Sequence, residues 1–264
     1  MTARLTFFAL LLGGCFDANS LVCGRDGGNC PAMTDAAAAQ SDLREALDLA
    51  RLSDSFSPPD VAPPLPATCQ DVRSGDPNAA DGDRTLYLGG DKAKPWGAYC
   101  RDMAGQPREY LPLAMTGGNL NFSQYAVGGA STGTSVRTVY QRLRIDPVKL
   151  LVDVSDQTDA ISVGMLVQGQ SVVTSMPYGV AADCIGPASA MGAANVDLRG
   201  TPFAAAPISF SGVGNGPGGS ATYASGDQVV NLTGGGYCGY WGTTFAKGIA
   251  INKSGGFQLA LVYR

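Results

Sequence analysis

Four oxygen-bearing side chains crowd the segment Gly75-Asp76-Pro77-Asn78-Ala79-Ala80-Asp81-Gly82-Asp83. Asp76, Asn78, Asp81 and Asp83 are hard ligands two or three residues apart, a pattern with which a loop can wrap calcium. Gly, Asp, Pro and Asn are equally the residues of a turn leading into a strand, and the turn is the simpler reading. The same choice arises at Asp26-Gly27-Gly28-Asn29, between Cys23 and Cys30. Calcium is the one cofactor these residues could hold.

Other chemistry is narrowed by an absence. The chain has no histidine, which removes the commonest general base, the commonest zinc ligand and the usual middle member of a nucleophilic triad. No Ser-x-x-Lys offers a lysine-assisted serine instead. Glycoside hydrolysis needs two facing acids. Glu109 lies between Arg108 and Tyr110, where an ion pair is the simpler role, and Asp183 before Cys184 reads as a turn acid. A net charge of −4, with no Lys/Arg run, gives phosphates nothing to approach, so nucleic acid is not an expected partner. The remaining candidate is aromatic. Tyr237, Tyr240 and Trp241 surround Cys238 in a glycine-rich setting that could leave rings uncovered for a sugar or protein face, though packing against a disulfide is the plainer expectation.

The first fifteen residues, MTARLTFFALLLGGC, place one cation, Arg4, before an apolar run too short to span a bilayer. That reads as a signal peptide, and Leu12-Gly13-Gly14-Cys15 resembles the lipobox of bacterial lipoproteins. Cleavage before Cys15 and acylation of its thiol and amine would anchor the chain to a membrane. Seven cysteines minus Cys15 leave an even number, as an oxidising compartment would have it. No Cys-x-x-Cys occurs, and Cys23 with Cys30 is the local pairing.

Elements follow from pattern. Two glutamates, five lysines and 36 glycines, with Val, Tyr and Thr in short runs, describe a β protein rich in turns. One helix is predicted at 34–52, where Leu43, Leu47 and Ala50 share a narrow face. Proline at 58, 59, 63, 64 and 66 makes 53–68 a semi-rigid tether. Strands are predicted at 85–89 and 96–100, joined as a hairpin, then at 110–115, 119–127, 136–145, 150–154, 161–167 and 171–176. Further strands are predicted at 196–198, 208–210, 228–232, 249–251 and in the apolar run 256–264. Residues 213–225 read as a glycine-rich loop, without the lysine of a phosphate-binding loop. The organisation is therefore signal peptide 1–14, cysteine loop and helix 15–52, tether 53–68 and a mainly antiparallel β domain 69–264, stapled by disulfides and carrying short helices.

From Cys69 the order of features resembles the GON domain, the C-terminal module of ADAMTS-type secreted metalloproteases, which also occurs in bacterial exported proteins. The matching residues are Cys69-Gln-Asp-Val, Asp81-Gly82 before Leu86-Tyr87-Leu88, Trp96-Gly-Ala-Tyr99-Cys100-Arg-Asp-Met103 and Pro107-Arg-Glu109-Tyr110-Leu-Pro-Leu113. Asn121-Phe122-Ser123, Leu143-Arg144-Ile145-Asp146, Ala182-Asp183-Cys184, Asp197-Leu-Arg-Gly200 and Gly235-Gly236-Tyr237-Cys238-Gly239 follow in order. The family's central region is richer in cysteine than this chain. The resemblance implies the pairs Cys69–Cys100 and Cys184–Cys238. It does not carry protease activity with it, since a His-Glu-x-x-His helix needs histidine.

The expected function is a non-catalytic lipoprotein of the cell envelope, in the outer membrane or otherwise exported to periplasm or exterior. It would present a binding or adhesion module to a protein or glycan. The alternatives are a purely structural envelope protein and an unusual hydrolase.

Overall fold

The computed structural model describes residues 64–264, apart from 188, 207–208, 214–216 and 244–258. The signal peptide, Cys15, the Cys23–Cys30 pair, the helix at 34–52, the tether as far as residue 63 and the strand at 249–251 lie outside the described residues. A helix, α1 (Cys69–Gly75), precedes the strands β1 (Gly82–Tyr87), β2 (Pro95–Arg101), β3 (Arg108–Pro112), β4 (Phe122–Ala126), β5 (Ser131–Gly133) and β6 (Val136–Tyr140). Next come β7 (Arg142–Asp146), β8 (Leu151–Val152), β9 (Ala160–Val163), β10 (Leu166–Gln168), β11 (Ser171–Val173) and β12 (Ala181–Asp183). The last are β13 (Gly192–Asp197), β14 (Phe203–Ala205), β15 (Phe210–Val213), β16 (Pro217–Ala224), β17 (Val229–Gly236), β18 (Tyr240–Thr243) and β19 (Leu259–Tyr263).

These strands form three sheets, and the domain is mainly β as its composition requires. A seven-stranded sheet runs β1-β2-β3-β7-β8-β19-β14, and a small one runs β11-β10-β5. A nine-stranded sheet contains β15-β18-β12-β4-β13-β17-β16, with β6 joined to β4 and β9 joined to β6. Pairing is antiparallel except between β12 and β4. One apolar core takes Trp96, Leu111, Leu143 and Leu259 from the first sheet and Ala194, Val196, Val230 and Leu232 from the nine-stranded one. A second core, under the small sheet, collects Tyr125, Val136, Leu166, Val173, Met176 and Tyr240.

Cys69–Cys100 ties α1 to β2, and Cys184–Cys238 ties the end of β12 to the turn after β17. Cys69 and Cys100 are fully buried in the main core, and their Cα atoms lie 5.5 Å apart. The domain begins before Cys69. The Pro66 carbonyl accepts the Tyr87 N–H at 2.9 Å, and Thr68 and Asp71 cap α1 reciprocally.

Several segments depart from the sequence reading. Residues 69–75 form a helix. The run 136–145 is two strands, because at Gln141 the chain leaves the nine-stranded sheet as β6 and enters the seven-stranded sheet as β7. The run 161–167 is also two, bent at Gly164 (φ +92°), where a Cβ would collide with the Ser135 carbonyl oxygen. The supposed loop 213–225 contains β16, paired with β17 from Pro217↔Gly236 to Ala224↔Val229.

Asn121 organises the junction of β4 and β13 from a left-handed conformation (φ 47°) at zero exposure. Its N–H donates to Asn195 Oδ1 (2.9 Å), and its amide donates to the carbonyls of Met115 (2.6 Å) and Asp197 (2.8 Å). Its Oδ1 accepts from the Tyr178 hydroxyl (2.5 Å) and the Asp197 N–H (2.8 Å). Asn121→Ala orphans buried donors and acceptors and keeps the costly backbone, so a loss of about 3 kcal/mol is expected in urea denaturation. Asn121→Gly relieves the backbone alone and should recover about 1 kcal/mol of it.

Candidate functional site

The strongest candidate is built around one buried carboxylate. Asp183 closes β12 with zero exposure. Its Oδ1 accepts from the N–H groups of Ile185 and Gly236 (3.2 Å each) and from the Ser189 hydroxyl, and its Oδ2 accepts from the Met191 N–H (2.7 Å). Donors from the loop after β12 and from the end of β17 therefore converge on one acid, the arrangement that makes burying a carboxylate tolerable. Gly235 must be glycine, since a Cβ would overlap the Asp183 carboxylate. The sequence reading of Asp183 as a turn acid understates it: its partners reach to Gly236.

The disulfide Cys184–Cys238 closes the same unit, with Cys184 buried and Cys238 exposed. Gln168 donates to Cys184 Sγ (3.2 Å) and accepts from the Tyr125 hydroxyl. Burial, and then the charge of Asp183, push the Tyr125 phenol up to about 12. The loop before β5 packs on the other side, where a Cβ on Gly129 would strike the backbone of Cys184 and Ile185.

Three large apolar side chains stand out from this pinned backbone: Ile185 (37% exposed), Met191 (65%) and Tyr237 (58%). Of the aromatic residues singled out in the sequence, only Tyr237 is presented. Tyr240 is buried in the second core, and Trp241 is half-buried against the main one. Neighbours along a strand face opposite ways, so β18 sends these two rings into different cores.

The acidic segment is divided among structural tasks. Asp76 accepts the Asn78 N–H (3.0 Å) just after α1. Asp81 accepts the Met103 N–H (2.8 Å), and backbone hydrogen bonds from Met103 and Asp102 hold its carboxyl below its ordinary value. Asp83 lies on β1 opposite Tyr99. Among the described residues no three His, Cys, Asp or Glu side chains come together as a metal site. Among the described residues Glu109 has no ion-pair partner of the kind predicted for it; its Oε1 accepts the Cys69 N–H at 2.7 Å. Burial raises its carboxyl above the ordinary 4.5, a shift partly offset by that bond. A cavity of about 760 Å³ beside α1 is lined by Leu65, Pro66, Val72 and Asp71. Asp71 is already spent on the N–H groups of Ala67 and Thr68, so no acid pair forms there.

A second polar assembly escaped the sequence reading. Arg101, Arg142 and Arg144 project from one face of the seven-stranded sheet toward Asp153, Asp156 and Asp159. The contacts are Arg101–Asp159 (2.6 Å), Arg142–Asp159 (3.4 Å), Arg144–Asp153 (3.5 Å) and Arg144–Asp156 (3.9 Å). Arg142 also lies 4.2 Å from the Tyr99 ring centroid, and the Tyr110 hydroxyl reaches Asp156 at 3.2 Å. Three cations meet three anions, which suits latching a loop rather than attracting a charged ligand. The alternation Arg142-x-Arg144, placing both on one strand face, was the available signal.

Compared with known protein families, curated proteins and solved structures, the chain has no match. The two disulfides indicate an oxidising compartment outside the cytoplasm. Among the described residues no helix is long and apolar enough to cross a membrane.

Asp183→Asn sets an NH2 group among N–H donors, and urea denaturation should record a loss of about 3 kcal/mol. For Glu109, NMR titration should place the midpoint above 4.5. Because that value is raised, its contribution to stability is present at low pH and lost as pH rises through the folded midpoint. Glu109→Gln should abolish that slope while keeping the acceptor for Cys69.

Proposed function

We propose that this chain is a non-catalytic lipoprotein of the cell envelope that presents a GON-like module for binding or adhesion. The observation carrying this reading is the trio Ile185, Met191 and Tyr237, exposed on backbone that Asp183 and Cys184–Cys238 hold in place. Exposed apolar and aromatic side chains normally cost a protein solubility, and rigid support lowers the ordering cost of using them as anchors. Tyrosine and methionine are also favoured at interface centres. The lipobox-like Leu12-Gly13-Gly14-Cys15 supports attachment to a membrane, and the oxidised cysteines agree with export. The occupants in view are a surface glycan or a protein, with lipid at Cys15 as the membrane link. Lack of histidine argues against the protease chemistry found beside GON domains in animals.

Two measurements test the reading. Intact mass of the protein from envelope membranes should begin at Cys15, include acyl chains and leave no free thiols; an unacylated chain with free thiols contradicts the anchor. On panels of surface glycans and purified envelope proteins, the chain should bind, and Tyr237→Ala or Met191→Ala should weaken binding about tenfold or more with unchanged melting. Absence of binding by the unaltered chain, or indifference to both substitutions, contradicts the binding role.

A further inference from the structure

An interaction surface of a different kind lies on β9. This strand pairs with β6 alone, in the register Arg137↔Val163, Thr138↔Ser162, Val139↔Ile161, and its other edge carries no strand among those described. Two bonds orient its backbone: the Gln141 N–H donates to the Asp159 carbonyl (3.0 Å), and the Tyr140 N–H turns the other way, to Asn121 (2.9 Å). Odd-numbered residues of β9 therefore spend their N–H and C=O groups on β6, while those of Ser162 point out of the open edge.

The side chains divide just as cleanly. The Ser162 hydroxyl turns to Thr138, at 2.8 Å, while Ile161 and Val163 face solvent at 61% and 60% exposure. Met165, beyond the bend at Gly164, is exposed at 55%. Natural edges are guarded by charge, proline or a covering loop. Here no charged residue occurs from Ala160 to Ala182, and no proline before Pro177.

We infer that β9 is the dimerisation edge of this protein, pairing antiparallel with β9 of a second copy about a two-fold axis at Ser162. In that register the two Ser162 residues exchange both backbone hydrogen bonds. Ile161 of each copy lies beside Val163 of the other, a non-hydrogen-bonded pair in which side chains approach closely. The contact is self-complementary, as a two-fold interface must be. An uncharged strand meets its own copy without repulsion, although the chain as a whole carries −4. The nearest cation, Arg137, sits one strand back, so the two Arg137 side chains are at least about 14 Å apart, three strand spacings. A lipid surface could cover the apolar row but would leave the Ser162 backbone groups unsatisfied.

Sedimentation of the full chain in detergent, together with cross-linking, tests this. The chain should sediment as a dimer, and Ile161→Lys or Val163→Lys should raise the dissociation constant at least about tenfold. Val148→Lys, at a residue 81% exposed elsewhere, should leave it unchanged. Chains carrying Ile161→Cys and Val163→Cys should form a disulfide when mixed and oxidised, since the pair lies about 4.5 Å apart at Cα, whereas neither should cross-link alone. A monomer at every concentration, a dimer indifferent to both lysines, or no cross-link in the mixture overturns the inference. The cross-link decides if a lysine variant fails to fold. Capture of another protein's strand by a monomeric chain also overturns it.

Discussion

A buried carboxylate with no cation beside it among the described residues must be surrounded by donors, and at Asp183 the donors come from the loop after β12 and the end of β17. The exposed trio Ile185, Met191 and Tyr237, the tip of this unit, depends on that constraint. Ile185 and Met191 are placed by their own N–H groups, and Tyr237 by the N–H of its neighbour Gly236. The disulfide Cys184–Cys238 spans the same two segments by covalent means, across a sequence separation of 54. On the loop-entropy view such a link removes up to about 4 kcal/mol of freedom from the unfolded chain. Hydrogen bonds and disulfide act on the same few residues, which is how glycine-rich backbone can hold side chains still.

The remainder of the fold supplies a platform for this tip. Asn121 fixes the start of β4 against β13, and β4 then pairs directly with β12, which ends in Asp183. At the seven-stranded sheet, arginine and aspartate cancel one another over Tyr99 and Tyr110, latching the 153–159 loop. Charged groups are thus used to fasten segments, and the large side chains left exposed around Asp183 are apolar or aromatic.

Much of the first sheet was legible in sequence because its strands alternate. In the hairpin of β1 and β2, the second strand buries Trp96, Ala98 and Cys100 at every second position, after a connection that carries Asp91, Lys92 and Lys94. Glycine hid β16. Pro217, Gly218 and Gly219 look like a loop, yet they pair with Gly236, Gly235 and Gly234, and a Cβ on Gly219 would collide with the Thr233 carbonyl. The strands are glycine-rich because their backbones approach closely, a reason no local pattern can reveal. Breaks at Gln141 and Gly164 were equally hidden, since a strand that changes sheets keeps its alternation. Tyr237 was legible as a candidate from its glycine neighbours. Met191 and Ile185 were not, because the carboxylate that positions them is known as a hub only once Gly236 is folded against it.

Backbone amide hydrogen exchange on the oxidised chain tests the tip most directly, since it reads the N–H groups that Asp183 accepts. The Met191 and Gly236 amides should exchange nearly as slowly as those inside β13 and β17, despite the exposed side chains around them. Exchange of both at the rate of an unstructured peptide would contradict this, and would mean that Asp183 does not hold the tip.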